Sequence, residues 1–226
     1  MARVAALLLI VALPAFSQGI GFGVKGGVPL TQYLETTRAN TLRGGHDYSA
    51  ATRRYTVGVT GEWWLSGHFG FAADLLYKRM GYVGLSSTFG AGRGTRSAFD
   101  VKGHSWELPV LAKRRFLEGP VRPFVAAGGI LRIIGPVRAK GALTTFDLIA
   151  GTEVTTPIDT NQPSDLRKRW YPGLVIGGGV EASAGRARVV PEVRLAHWTA
   201  NISSGESPGA LRFPSNQVEV LLAVLF

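Results

Sequence analysis

Eight segments of this chain alternate apolar and polar residues with a period of two, and the acids inside them keep to one parity. The segments are Ile20 to Leu30, Arg54 to Leu65, Phe69 to Tyr82, His104 to Phe116, Arg122 to Gly135, Tyr171 to Ala184, Ala187 to Trp198 and Asn216 to Phe226. Successive side chains of a strand point to opposite faces, so each segment has one apolar face and one face that can carry charge. Glu62, Asp74, Glu107, Glu181, Glu192 and Glu219 all fall on the polar parity, as do Lys25, Lys78, Lys113, Arg132, Arg188 and Arg194. A soluble carrier would turn its apolar faces inward. Here the apolar parity contains Phe22, Val24, Val57, Val59, Phe71, Leu75, Val110, Val125, Ile176, Val193 and Leu222, and it reads as a surface facing lipid.

Segment length and spacing agree with that solvent. A tilted strand needs about 9 to 11 residues to cross the hydrocarbon, and each segment is at least that long. The connections Ser66-Gly67-His68, Leu117 to Val121 and Gly185-Arg186 are tight, whereas 31–53, 83–103, 136–170 and 199–215 are long and rich in Gly, Ser, Thr and Arg. Short and long connections alternating at opposite ends predict an all-β fold: an eight-stranded antiparallel up-and-down transmembrane β-barrel with long extracellular loops. Two aromatic belts are expected. Trp63, Trp64, Phe69 and Phe71 would form one, and Tyr77, Tyr82, Trp106, Trp170, Tyr171 and Trp198 the other. Arg79 and Arg114 fall on the lipid parity, near strand ends where a long cation can snorkel.

The flanks of the chain predict export. Arg3 precedes an apolar run from Val4 to Leu13, and Pro14-Ala15-Phe16-Ser17 supplies small residues for cleavage, so residues 1–17 read as a signal peptide and 18–226 as the barrel. The last segment ends on Phe226, expected to be the signal for membrane insertion by the outer-membrane assembly machinery. There is no Cys, which excludes disulfides, thiolate metal sites and a lipid anchor on a thiol. The chain carries a formal charge of +10. In an exported protein that charge points to anionic outer-membrane lipid rather than nucleic acid.

The Trp106-Glu107-Leu108-Pro109-Val110-Leu111-Ala112-Lys113 segment resembles a strand of the PorT-like outer-membrane β-barrel family, small barrels of the OmpA/OmpX-like kind. Gly21 to Gly27, Arg122 to Gly128, Val175 to Glu181, Pro191 to Leu195 with Asn201-Ile202, and the terminal Phe resemble its other strands. His197-Trp198 departs from the pattern, where Tyr and a small residue are more usual. The resemblance implies an eight-stranded outer-membrane barrel and specifies no activity.

Chemistry-bearing motifs are sparse, and no catalytic, cofactor or metal residue is assigned. Gly21-Phe22-Gly23-Val24-Lys25-Gly26 spells a dinucleotide fingerprint, but Pro29 opposes the helix that such a loop requires. The four His (His46, His68, His104 and His197) lack metal-ligand spacing. Lys25, Glu62, Asp74, Lys78, Glu107, Lys113, Arg132, Glu181, Arg188, Glu192, Arg194 and Glu219 are expected to form a lumen ion network. An eight-stranded barrel has room inside for little beyond side chains, so that lumen is expected to be closed. Arg167, Lys168 and Arg169, beside Trp170, are expected to contact lipopolysaccharide phosphates, and the long loops to meet an unidentified extracellular ligand. The alternative is a lipid A-modifying hydrolase. It would use His197 with Thr199, Ser203 and Glu206, the residue types of a base, nucleophiles and an orienting acid.

Overall fold

The computed structural model describes residues 19–32, 34–35, 37–51, 54–161, 169–199 and 214–226. Among these, eleven strands form one antiparallel sheet. They are β1 (Ile20–Pro29), β2 (Thr37–Thr41), β3 (Gly44–Ala50), β4 (Thr56–Trp64), β5 (Phe69–Gly90), β6 (Arg93–Arg115), β7 (Val121–Asp147), β8 (Thr152–Thr160), β9 (Trp170–Ala184), β10 (Ala187–Trp198) and β11 (Asn216–Leu225).

Strands β1, β4, β5, β6, β7, β9, β10 and β11 close into a ring, because β1 pairs with both β4 and β11 while β5 pairs with β6. At the seam Phe226 N donates to Phe22 O at 2.8 Å, and Phe22 N donates back to Phe226 O at 3.3 Å. Closure leaves no strand edge in the hydrocarbon, where each unpaired N–H or C=O would cost several kcal/mol. The apolar parity lies outside as expected: Phe22, Val24, Val57, Val59, Trp63, Val110, Leu174, Ile176, Val193 and Leu222 are all exposed. The belts are smaller than the sequence suggests. Tyr82, Tyr171 and Trp198 are buried inside, and Trp64 turns its indole N–H to Glu62 Oε2 at 3.2 Å, leaving Trp63, Phe69, Phe71, Tyr77, Trp106 and Trp170 outside or at the rim.

The largest departure lies beyond the upper belt. Segments 83–103 and 136–147 were expected as loop, yet β5, β6 and β7 run through them without a break. β8 folds back on β7, and the β2–β3 hairpin adds to β5, so three of the four long connections are largely sheet. Arg79 accordingly sits in the middle of β5 rather than near its end. The reason is pairing. Ser86 faces Ser97, Thr88 faces Thr95, and Thr144 Oγ1 lies 3.0 Å from Thr155 Oγ1, so backbone ladders and cross-strand hydroxyl pairs help to carry these extensions. The β5–β6 turn is Ala91-Gly92, with φ of 50° and 75°. Two consecutive positive φ values make the type I′ geometry that matches strand twist, and Gly accepts it without strain.

One bulge re-aims β7. Gly103 pairs with Val137 but Ser105 with Ile134, so β7 spends an extra residue at Gly135-Pro136. Below the bulge Ile133 points out and Ile134 in. Above it Val137 and Ala139 point in, while Arg138 and Lys140 point out.

Candidate functional site in the lumen and on the extracellular sheet

All twelve lumen residues expected from parity line the barrel interior, in three groups of ion pairs. Nearest the short turns, Glu62 and Glu181 converge on Lys113, with the Lys113–Glu62 pair very close and Lys113 Nζ 3.0 Å from Glu181 Oε1. Arg188 Nη1 adds contacts of 3.0 Å to Glu62 and 3.6 Å to Glu181. In the middle, Lys25 reaches Asp74 at 2.9 Å and Glu192 at 3.2 Å, and Arg194 reaches the same two acids at 2.7 and 2.5 Å. Towards the outside, Lys78 lies 2.7 Å from both Glu107 and Glu219, Arg132 donates to Glu107 at 2.7 and 2.9 Å, and Arg132 also donates to Gln217 Oε1. Each cation faces more than one acceptor. That satisfaction keeps buried charge tolerable, since a buried ion stripped of its partner costs several kcal/mol. The approach is tight enough that a Cβ on Gly21 would lie 2.2 Å from Arg188 Nη2.

Sequence reasoning missed part of this lining. Arg115 pairs with Glu181 through Nε at 2.7 Å and stacks its guanidinium 3.2 Å above the Trp64 ring. It shares the parity of Lys113, so extending the alternation by one step would have found it. Thr56 Oγ1 donates to Glu219 at 2.7 Å, and the Arg132 guanidinium lies 3.8 Å over the Trp198 ring. Six carboxylates thus face seven basic groups. Above this ionic zone the interior turns apolar: Leu34, Met80, Tyr82, Val101, Ile134, Val137 and Tyr171 pack together, with Tyr48 and Phe99 edge-on to Tyr82 at 6.0 and 6.4 Å. Val101 and Val137 of this cap lie in 83–103 and 136–147, segments whose sequence suits a loop.

The extracellular sheet carries its own ion pairs, each with an exposed cation. Arg38 pairs with Asp47 at 2.6 Å, Arg93 with Asp147 at 2.8 Å, Lys102 with Asp100 at 2.5 Å and Arg138 with Asp159 at 2.6 Å. The N–H groups of Ala150 and Ile149, at 3.0 and 2.9 Å, together with Arg93, hold the Asp147 carboxyl below the usual carboxylate range; the Ala150 bond matters most. The Arg138 guanidinium does the same for Asp159.

Of the residues expected to meet lipid phosphate, Arg167 and Lys168 lie outside the described residues. Arg169 is exposed at the start of β9, and its carbonyl accepts Ile134 N at 2.8 Å. Of the four hydrolase residues, two are described. His197 Nδ1 lies 2.7 Å from Asn216 Oδ1, the Thr199 hydroxyl donates to Pro172 O at 3.0 Å, and Ser203 and Glu206 lie outside the described residues. The Gly21 to Gly26 fingerprint is strand β1, paired on both sides. Among the described residues no group of three or more His, Cys, Asp or Glu stands together as metal ligands.

Comparison with known proteins places this barrel. No curated protein matches the chain. Solved structures similar to it include Ail of Yersinia pestis, in complex with a heparin analogue, at 8% identity and a TM-score of 0.39, covering 92% of this chain and 97% of that one. The N-terminal barrel of Pseudomonas aeruginosa OprF gives 9% identity, a TM-score of 0.36 and coverages of 92% and 98%. Neisserial surface protein A gives 12% identity, a TM-score of 0.38 and coverages of 92% and 96%. A family model described as outer membrane protein beta-barrel domain matches residues 16–202, most of the chain. The chain therefore belongs to the outer membrane protein beta-barrel domain family, and its wall of lipid-facing strands is the outer-membrane part of that domain.

Proposed function

We propose that this protein works by display: an exported barrel, sealed inside, that holds a β-sheet platform above the bacterial outer membrane for surface interactions. The observation that carries this reading is the double seal. Ion pairs fill the lower and middle lumen, and the apolar layer around Leu34, Tyr82 and Tyr171 covers it. Eight strands leave an interior that side chains can fill, whereas porins need about 16 strands for an aqueous channel. The reading assigns no chemistry to the lumen. His197, held by Asn216, is an interfacial side chain in it rather than a general base.

The finer parts belong to the same proposal. Residues 1–17 are the cleaved signal peptide and 18–226 the mature barrel, of the PorT-like kind. The strand ending in Phe226 is what the assembly machinery reads. Arg167, Lys168 and Arg169 contact lipopolysaccharide phosphates, and the sheet and loops meet an extracellular ligand of unidentified chemistry.

Purified full-length protein in planar bilayers tests the seal. The expected result is no stable conductance on the nanosiemens scale. A large, steady open channel would overturn the display reading.

A further inference from the structure

The bulge at Gly135-Pro136 leaves a groove of about 510 Å³ on the outer wall, lined by Tyr77, Arg79, Lys102, His104 and Arg138 among others. We propose that this groove is a site for a phosphorylated lipid headgroup of the outer leaflet, with Arg79, Lys102 and Arg138 holding one phosphate. The proposal rests on the reading above that outward cations meet lipid phosphate, and it moves the main site from Arg167, Lys168 and Arg169 to the wall.

Height is the first argument. Phe69, in the lower belt, and Arg79 are ten residues apart on β5, about 33 Å along the strand and about 25 Å along the barrel axis at a tilt of roughly 40°. That matches the height of the apolar band on such barrels, about 25 Å. Arg79 therefore stands at the level of the headgroups, one inter-residue pair above Tyr77, while acyl chains would lie against Tyr77, Trp106 and Ile133 below.

Placement is the second. Arg79 faces His104 across β5 and β6, Gly81 faces Lys102, and Lys102 faces Arg138 across β6 and β7. Lys102 and Arg138 are direct partners about 5 Å apart at the backbone and Arg79 is the diagonal neighbour of Lys102 at about 7 to 8 Å, within reach of long side chains, so three cations line one groove. The bulge is required for this: without its extra residue Arg138 would point into the apolar cap. His104 stacks on Tyr77 at 6.0 Å, and its ring lies so close over Gly135 that a Cβ there would be 2.3 Å from Nε2. The floor of the groove is thus a fixed aromatic wall.

Charge is the third. Asp100 and Asp159 pair with Lys102 and Arg138 from outside the groove, and neither lines it. Exposed pairs of this kind contribute little, so a phosphate can take the remaining donors of both cations. Among the described residues no ion pair engages Arg79. Arg169, by contrast, precedes Trp170 on the parity of buried Tyr171, which turns away from the lipid wall.

The test uses full-length protein folded in lipid-free detergent and titrated with diphosphorylated lipid A, the same lipid after dephosphorylation, and inorganic phosphate. Native mass spectrometry reads binding, and unboiled gel mobility checks folding. Wild type should bind the phosphorylated lipid and neither of the other two to a comparable degree. Replacing Arg79→Gln together with Arg138→Gln should weaken binding about 30-fold, at about fivefold per interfacial cation removed. Replacing Arg167→Gln, Lys168→Gln and Arg169→Gln, which the proposed function also sets against lipid phosphate, should weaken it by less than the groove double variant does. If the double variant does not fold, Lys102→Gln alone should still give about fivefold, and no change there counts against the groove. Loss confined to the triple variant would overturn the groove and keep the reading it rests on. Equal binding of the dephosphorylated lipid would overturn both. Inorganic phosphate binding as tightly as the lipid would show an ion site with no headgroup specificity and would overturn the lipid assignment.

Discussion

The lower and upper halves of β5, β6 and β7 are the same strands obeying different rules. In the membrane half the outward parity is largely apolar, while the inward parity holds the paired charges with Leu76, Leu111 and Phe124 among them. In the extracellular half the strands mix Ser, Thr, Gly and Arg with outward Val83, Leu85 and Phe89 and inward Val101 and Val137, the cations of the ion pairs are exposed, and neighbouring ladders do the holding. Solvent writes the pattern of the first half. Pairing, with turn geometry, builds the second, and the two halves should therefore fail in different ways.

The sharpest contrast is between one cation in each half. Arg132 is only 1% exposed and anchors Glu107, so Arg132→Ala leaves a buried carboxylate with one partner fewer and should cost about 3 to 5 kcal/mol. Replacing both, Arg132→Met with Glu107→Leu, should recover much of that loss. Arg93→Ala, which breaks an exposed pair in the sheet, should cost under about 1 kcal/mol. Urea unfolding followed by unboiled gel mobility measures all three, and equal losses for Arg132→Ala and Arg93→Ala would erase the distinction between the halves.

A smaller effect is expected at the seam. Removing Phe226 deletes one donor and one acceptor bonded to Phe22, leaving two backbone groups of β1 to be satisfied otherwise at about 2 kcal/mol. Because closure completes insertion, yield in the outer-membrane fraction should fall more than the stability of the protein that does insert. Undiminished insertion without Phe226 would count against the seam as an assembly signal.

This contrast also explains what could be read from the chain. The ring strands, their short turns and the whole set of paired lumen charges follow from parity, because lipid and a narrow lumen punish every exception. Arg115 was missed only because the alternation was not carried to the strand end. The upper sheet is not legible from charge parity: 83–103 pairs with itself across the Ala91-Gly92 turn, but its Gly, Ser, Thr and Arg content suits a loop equally well. Tyr82, Tyr171 and Trp198 stand on the inward parity of their strands, and height alone misassigns them to the belt. Nor could periodicity foresee the β7 bulge that turns Arg138 outward.

The β5–β6 tip tests whether turn geometry carries the upper half. Gly92→Val forces a β-branched side chain into φ of 75° and should cost about 1 to 2 kcal/mol, felt locally. Ala91→Gly relieves the neighbouring positive φ and should gain a few tenths to about 1 kcal/mol at that tip. Amide exchange at Gly90 and Arg93, which flank the turn, should rise in the first variant and fall in the second, with the membrane half unchanged. A change spread through the whole barrel would mean that the two halves unfold as one unit.

The smallest effect is expected in acid, at the β7–β8 turn. Asp147 titrates below the ordinary carboxylate value of about 3.9 because the N–H groups of Ala150 and Ile149 and the Arg93 guanidinium favour its charged form. A depressed carboxylate contributes stability that is full above its unfolded value and is lost as pH falls through its folded one. The turn should therefore keep its protection down to about pH 4 and lose it below that. Amide exchange at Ile149 and Ala150, corrected for intrinsic rates, measures this. Asp147→Ala should raise exchange at both already at neutral pH and abolish the acid step. A step of unchanged size in that variant would assign the acid sensitivity to another group, and with it the claim that this turn is held by its own side chain.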